Sequence, residues 1–310
     1  MDIITSSIIS ACLSGIPILL VGGLVYLAKR NLKNRENPLT KDLLRPPGHS
    51  VNKRLQEAQF NVITEMGVAC IAFYYPPTYL GILYYFEGSV APLVAASVII
   101  VMSIVLIMTL AKVFKNARNV FTLKLGYECE IAVAQELDRL MLLGYRVFHD
   151  IQGDEFNIDH IVVGPNGVFA IETKGRRRPM SKEVDKRSRH KVTCYDGRLE
   201  FPSWTETEVF NQANRQAKWT SKWLSSATGN PITAMPVIVL PGWYIERKER
   251  SQVPCIAGSF NSFKALVPKL KGQTLSPSEI EAISHQIEQN CRTQDFGRAR
   301  ELNSTKLVTQ

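Results

Sequence analysis

The sequence has no Cys-x-x-Cys pair and no histidine at zinc-ligand spacing from a cysteine. Its six cysteines, Cys12, Cys70, Cys129, Cys194, Cys255 and Cys291, stand far apart. That scatter argues against a structural zinc site and a disulfide framework. A chain of 310 residues can bury a core without staples, so the thiols read as reduced. Cys12 and Cys70 fall inside apolar runs as small hydrophobes. There is no internal repeat. Charge is missing over one long stretch: from Ile3 to Ala28 there is no Lys, Arg, Asp or Glu. Asp2 precedes that run and basic residues follow it, the reverse of a cleaved secretion signal, so an uncleaved membrane anchor is expected.

Apolar residues crowd into positions 1–115, which read as a membrane region. Three runs, 3–28, 62–86 and 91–113, are each long enough as helices to cross a hydrocarbon core of about 30 Å. The second is interrupted by Glu65 and by Pro76-Pro77, so a kinked span or a re-entrant segment is expected there. The third is uncharged from Ala91 to Leu110 and is followed by Lys112, Lys115 and Arg118. Lys29, Arg30, Lys33, Arg35, Lys41, Arg45, Lys53 and Arg54 fill the link between the first two runs, whereas the link from Glu87 to Val90 has no basic residue. By the positive-inside rule the N-terminus lies outside a cell (inner) membrane, and everything after the third span is cytoplasmic. The stretch from Lys29 to Phe60, with Pro38, Pro46 and Pro47, reads as a polar loop along anionic lipid head groups.

The formal net charge of +9 points to an anionic partner, nucleic acid or a lipid surface, without choosing between them. Beyond the third run, residues 120–290 read as a mixed α/β domain. Gly126 to Leu143 carries Ile131, Val133, Ala134, Leu137, Leu140 and Met141 at helical spacing, with Gly144 as a stop. Strands are expected over Tyr145–Phe148, Ile158–Val163 and Val168–Thr173, the last two joined as a hairpin by Gly164-Pro165-Asn166-Gly167. Lys191–Tyr195 and Arg198–Phe201 flank Asp196-Gly197, a second hairpin. Phe210–Leu224 is helical in pattern, Pro236–Leu240 is a short buried strand, and 291–310 is polar enough for disorder.

If the first hairpin centres between Pro165 and Asn166, Asp159 falls opposite Glu172. Directly opposed side chains on one face have Cβ atoms about 4.5–5.5 Å apart, where two carboxylates repel unless a cation separates them. Lys174, two positions beyond Glu172, shares that face by the strand period. Two acids and a lysine thus converge on one spot. Mg²⁺ (or Mn²⁺) suits such a set, since it prefers oxygen ligands and takes one or two protein carboxylates with water and phosphate oxygens. It would activate water, with Lys174 orienting it or stabilising the charge that develops on phosphorus.

Gly126-x-Glu128-x-Glu130, Asn157-Ile158-Asp159-His160, Gly164-Pro165-Asn166-Gly167-Val168-Phe169 and Ile171-Glu172-Thr173-Lys174 resemble the nuclease-related domain, NERD, of the broad PD-(D/E)xK nuclease superfamily. The resemblance runs from about Gly126 to Leu224. It implies a restriction-endonuclease-like α/β fold, a mixed sheet flanked by helices, with Asp159, Glu172 and Lys174 as metal and water-handling residues. It also makes Glu130 the helical acid that completes or supports the metal shell, and Gln212 and Gln216 a motif that positions site or substrate. Cys129 departs from the pattern, standing where the family usually has Gly.

An acid pair with a neighbouring lysine is often mere surface charge. Here the strands around it are mainly Ile, Val, Phe and Ala, which favours a site. His160 should face away from Asp159 as a structural histidine, Glu128 reads as a solvated helix acid, and Trp219 and Trp223 read as core anchors rather than base-stacking platforms. Arg176, Arg177, Arg178 and Lys182, just past Lys174, read as a phosphate-tracking wall for nucleic acid. The expectation is a membrane-anchored, metal-dependent nuclease, with DNA ahead of RNA as substrate. The competing expectation is a catalytically silent module of the same fold that binds nucleic acid or a protein partner at the membrane.

Overall fold

The computed structural model describes residues 20–28, 30, 43–180, 189–248, 252–270 and 272–308. Most of the first expected span lies outside the described residues; its end, 20–28, is helical (α1). The chain divides into two compact units, one of residues 1–41 and 55–121, the other of residues 42–54 and 122–310.

In the first unit the apolar runs become parts of two long helices, α2 (His49–Glu87) and α3 (Pro92–Asp138). Both are long and apolar enough to cross a membrane. Pro76 and Pro77 lie inside α2, which stays one helix rather than two pieces. Glu65, which interrupts the second run, has Oε1 3.6 Å from Lys112 Nζ, so the one acid in that stretch faces a cation. Phe60, Ile63, Phe73 and Tyr74 of α2 and Ile100, Ile104, Ile107 and Leu110 of α3 are exposed.

Three expectations differ from what forms. The polar loop expected to reach Phe60 ends at a turn at Pro47-Gly48, and from His49 the chain is α2. The third span and the amphipathic helix after it are a single helix, because no Gly or Pro separates Val113 from Leu125. The stretch from Cys291 is helical as far as Val308, a continuation of α6 (Pro277–Val308), in line with its Arg, Gln, Ala, Glu and Leu content.

In the second unit α3 tightens into a 3₁₀ turn, Arg139–Leu143, and stops at Gly144, whose φ of 86° suits glycine. Next come β1 (Arg146–Gln152), β2 (Asn157–Gly164) and β3 (Gly167–Thr173). Then come β4 (Lys191–Tyr195), β5 (Arg198–Glu200), β6 (Thr205–Glu206), α4 (Glu208–Thr228), β7 (Ala234–Val239), β8 (Tyr244–Arg247), β9 (Cys255–Ile256) and α5 (Phe260–Leu266). Sheet order is β1-β2-β3-β7-β9 in one sheet and β6-β5-β4-β8 in the other. The first three strands of the larger sheet are antiparallel, and β7 and β9 add in parallel. The fold is mixed α/β, with helices flanking mixed sheets.

The larger sheet is covered on both faces, which is why β3 is buried along its whole length. Ile161, Val163 and Ala170 pack with Ala217 and Leu224 of α4 and Ile283 and Ile287 of α6. Val162, Phe169 and Ile171 pack with Val133 and Leu137 of α3 and Phe263 of α5. A third cluster joins the two sheets through Val192, Leu199, Phe210 and Ile238. Cys194 of β4 and Cys255 of β9 meet in it as free thiols, sulfurs 3.1 Å apart. Trp219 and Trp223, stacked with centroids 5.1 Å apart, pack against the α4 side of the core, as anchors should.

Candidate functional site

The turn between β2 and β3 sets the position of the acids. Val163 pairs with Val168 and His160 with Ile171, the register expected from a turn centred at Pro165-Asn166. That register carries Asp159 to the place opposite Glu172. Asp159 Oδ2 accepts the Thr173 backbone N–H at 2.7 Å, tying its carboxylate to the end of β3.

Glu172 is 2% exposed and holds two partners. Lys174 Nζ lies 2.6 Å from its Oε1, and Gln216 Nε2 donates to its Oε2 at 2.5 Å. Gln216 also donates to the Asn157 carbonyl at 3.0 Å, so one side chain of α4 bridges β2 and β3. One turn earlier, Gln212 Oε1 accepts from Lys174 Nζ at 2.8 Å. The ammonium is thereby held between a carboxylate and an amide. The four-residue spacing that puts both glutamines on one helix face aims them at the two charged members of the set.

Glu130 comes from α3. Gly175, just past Lys174, brings strand and helix together: a Cβ there would lie 3.0 Å from Cys129 Sγ and 3.2 Å from the Leu125 carbonyl. The Glu130 carboxyl is pushed up to about 8, first by burial, then by the negative charges of Asp150 and Glu172, against the pull of Lys174 and Arg54. Asp159 is raised well above the usual carboxylate range by burial, Glu172 and Glu130, against the Thr173 N–H and Lys174. Glu130, Asp159, Glu172 and Lys174 thus feel one another electrostatically. Among the described residues, no three His, Cys, Asp or Glu side chains are arranged to hold a metal ion together.

Residues 125–241 match the nuclease-related domain, NERD. The match begins in α3, takes in the larger sheet through β7, and includes every acid, amide and lysine expected at the site. No curated protein and no solved structure matches the chain. The NERD match makes this region nuclease-related; it names neither substrate nor metal.

The basic residues beside these acids divide. Arg176 is bound to Glu206 of β6, with Nε 2.8 Å from Oε2 and Nη2 on Oε1, so much of its charge is used within the fold. Arg178 donates to the Gly242 carbonyl, Arg177 is exposed, and Lys182 lies outside the described residues. Arg215, Lys218 and Lys222 form an exposed basic stripe along α4 beside Gln212, which the sequence reading did not single out. Their helical spacing was the available signal. His160 faces away from the acids, as expected. Its Nδ1 lies 2.9 Å from His149 Nδ1, and His149 Nε2 lies 3.0 Å from Asp138 Oδ1.

Proposed function

We propose that the protein is a membrane-anchored, divalent-metal-dependent nuclease that hydrolyses phosphodiester bonds, with DNA the preferred substrate class. The observation that carries the reading is one arrangement. Lys174 Nζ is clamped 2.6 Å from Glu172 and 2.8 Å from Gln212, at the edge of a group of carboxylates too buried to ionise together. A purely structural lysine would neutralise one acid. Here Glu130 and Asp159 are still held up by their neighbours, so the group has room for more positive charge than Lys174 supplies.

The donor set fits Mg²⁺ or Mn²⁺. It is all oxygen, and buried Gln216 Oε1, which has no hydrogen-bond partner among the described residues, adds a neutral oxygen beside Glu172. Asp159 and Glu172 would hold the ion, with water and phosphate oxygens as the remainder of its shell and Glu130 supporting that shell from outside it. The ion would supply an activated water and a Lewis acid for the phosphate. Glu172 keeps its geometry because Gln216 fixes one oxygen and Lys174 the other. Lys174, steered by Gln212, presents an ammonium that can orient the attacking water or stabilise charge developing on the phosphate. Without a cation, Glu130 holds a proton on its carboxyl at neutral pH and can release it as positive charge arrives. The stripe of Arg215, Lys218 and Lys222 is placed to follow a nucleic-acid backbone away from the acids.

Membrane anchoring rests on the apolar faces of α2 and α3 and on the basic residues that flank them. The test is cleavage of labelled single- and double-stranded DNA and RNA by the full chain in detergent, with Mg²⁺, Mn²⁺ or EDTA. Lys174→Ala should lose at least about a hundredfold in rate. Binding without cutting under all conditions would reassign the protein as a silent tethering module. Cutting that survives both EDTA and Lys174→Ala would remove this site from the reaction.

A further inference from the structure

Asp150 lies in the same row of the sheet as two of the site's acids. The β1–β2 register, with His149 across from His160 and Ile151 across from Ile158, puts Asp150 across from Asp159, which itself faces Glu172. Asp150 is also the one position between Arg146 and Gln152 that leaves the ladder. Its φ of 52° lies in the left-handed region, a costly choice for a residue with a side chain.

What holds it there comes from much earlier in the chain. Arg45 Nη1 lies 3.4 Å from the Asp150 carbonyl and 3.5 Å from Oδ2, while Nη2 donates to Gln152 Oε1 at 3.2 Å. Ser50 donates its backbone N–H to Oδ1 at 3.2 Å and its hydroxyl to Oδ2 at 2.8 Å. The Arg45 and Asp150 side chains are each 3% exposed, so this is a desolvated pair that depends on its full set of hydrogen bonds. Asp150 thereby serves the first turn of α2, where backbone N–H groups have no partner inside the helix. Between Arg45 and Ser50 the chain turns at Gly48, with φ of 68°. A Cβ there would lie 2.8 Å from the Tyr127 ring and 3.5 Å from Glu130 Oε2, so this turn lies against the acid of α3.

We infer that residues 43–54 complete the acidic site: Asp150 is a positioning residue that pins this segment through Arg45 and Ser50, and the pinned segment holds the Glu130 carboxylate in place beside Asp159 and Glu172. The segment lies outside the stretch that matches NERD, so the site draws on the first turns of α2 and the residues just before them. A fragment starting after α3's apolar run would lack it. The inference deepens the nuclease reading, but its first test does not depend on that reading.

The first test is a set of melting curves on the full chain in detergent with EDTA, for Gly48→Ala, Asp150→Asn and Glu130→Gln singly and in pairs. Coupling through the pinned segment should leave the paired shifts non-additive by about 3 °C or more. The second follows Mn²⁺ binding by the paramagnetic resonance of the free ion. Asp150→Asn should weaken Mn²⁺ binding by about tenfold or more, the scale for residues that orient metal ligands. Arg45→Lys should weaken it less than Arg45→Ala. Additive melting shifts would overturn the inference whatever Mn²⁺ does. Coupled shifts with Mn²⁺ bound equally tightly by wild type and Asp150→Asn would overturn it too, leaving Asp150 a purely structural anchor. Coupled shifts in a wild type that binds no Mn²⁺ would support the positioning and instead remove the metal from the nuclease reading. Should Asp150→Asn fail to fold by circular dichroism, Gly48→Ala and Arg45→Lys carry the same comparison.

Discussion

Gln216 is fully buried and spends its amide on Glu172 and on the Asn157 carbonyl, so a single side chain decides where a charged acid points. Hydrogen bonds to charged groups contribute about 1.5–3 kcal/mol, and Gln216→Ala should lower unfolding stability by about that amount. Urea titration reads the change directly, and a midpoint equal to wild type would mean the bridge carries no weight. The acids also set a pH dependence with a definite sign. The Glu130 carboxyl sits at about 8 in the folded chain, far above its ordinary value of 4.5. Between those values the folded protein binds the proton that the unfolded chain has lost, so metal-free stability should fall as pH rises through that window. His149 and His160 are both lowered from 6.5, first by burial, and His160 is lowered further by its neighbour. There the unfolded chain binds more protons, so stability should also fall as pH drops below 6.5. Metal-free melting should therefore peak between an acidic and an alkaline decline. Glu130→Gln should weaken the decline toward pH 8, where raised Asp159 leaves a remainder, and steepen the one below 6.5; a profile unchanged in that variant would place its origin elsewhere.

Between elements, the close approach of β3 and α3 depends on Gly175. Its Cβ would meet Cys129 Sγ at 3.0 Å and the Leu125 carbonyl at 3.2 Å, and forcing an extra methyl into such packing costs about 1–3 kcal/mol. Gly175→Ala should destabilise by that amount, and Cys129→Ala should recover part of it by removing the sulfur. No recovery in the double variant would place the strain on the Leu125 carbonyl alone. This contact gives Cys129 a structural part: it packs on the residue after Lys174. The hairpin of β2 and β3 was legible in the sequence because Pro165-Asn166 pins the turn and period-two alternation does the rest, which placed Asp159, Glu172 and Lys174. The glutamines were legible because they are four apart on a patterned helix. The short edges were not legible, since β6 of the smaller sheet and β9 of the larger are two residues each and carry no periodicity. Asp150 could not be found at all. In sequence it falls two positions past the strand expected over Tyr145–Phe148, and its partners Arg45 and Ser50 lie 105 and 100 residues away.

At the scale of the whole molecule, two helices leave Phe60, Ile63, Phe73, Ile100, Ile104 and Leu110 exposed, more large apolar side chains than a helix pair in water ordinarily shows. In a bilayer the same side chains face lipid tails. The two ends of this helical pair, residues 42–54 and the chain from residue 122, belong to one folded unit. A pair of spans that starts and finishes in one unit must return to the side it left. On the membrane-anchored reading proposed above, the density of Lys and Arg before α2 and after the apolar run of α3 would make that side the cytoplasm, and the link from Gly88 to Ala91, without a basic residue, the outside. Labelling intact cells with a membrane-impermeant maleimide tests this. Ser89→Cys should react from outside, whereas Lys218→Cys, exposed on α4, should react only after lysis. Reaction of Lys218→Cys in intact cells would reverse the orientation and put the acidic site outside the cell. Silence of Ser89→Cys until lysis, with the chain retained in membranes after alkaline extraction, would mean that α2 and α3 enter the bilayer and turn back without crossing. Pro76-Pro77, in the last third of α2, is where such a turn back would have to be accommodated, because two missing backbone donors there leave carbonyls that lipid cannot satisfy.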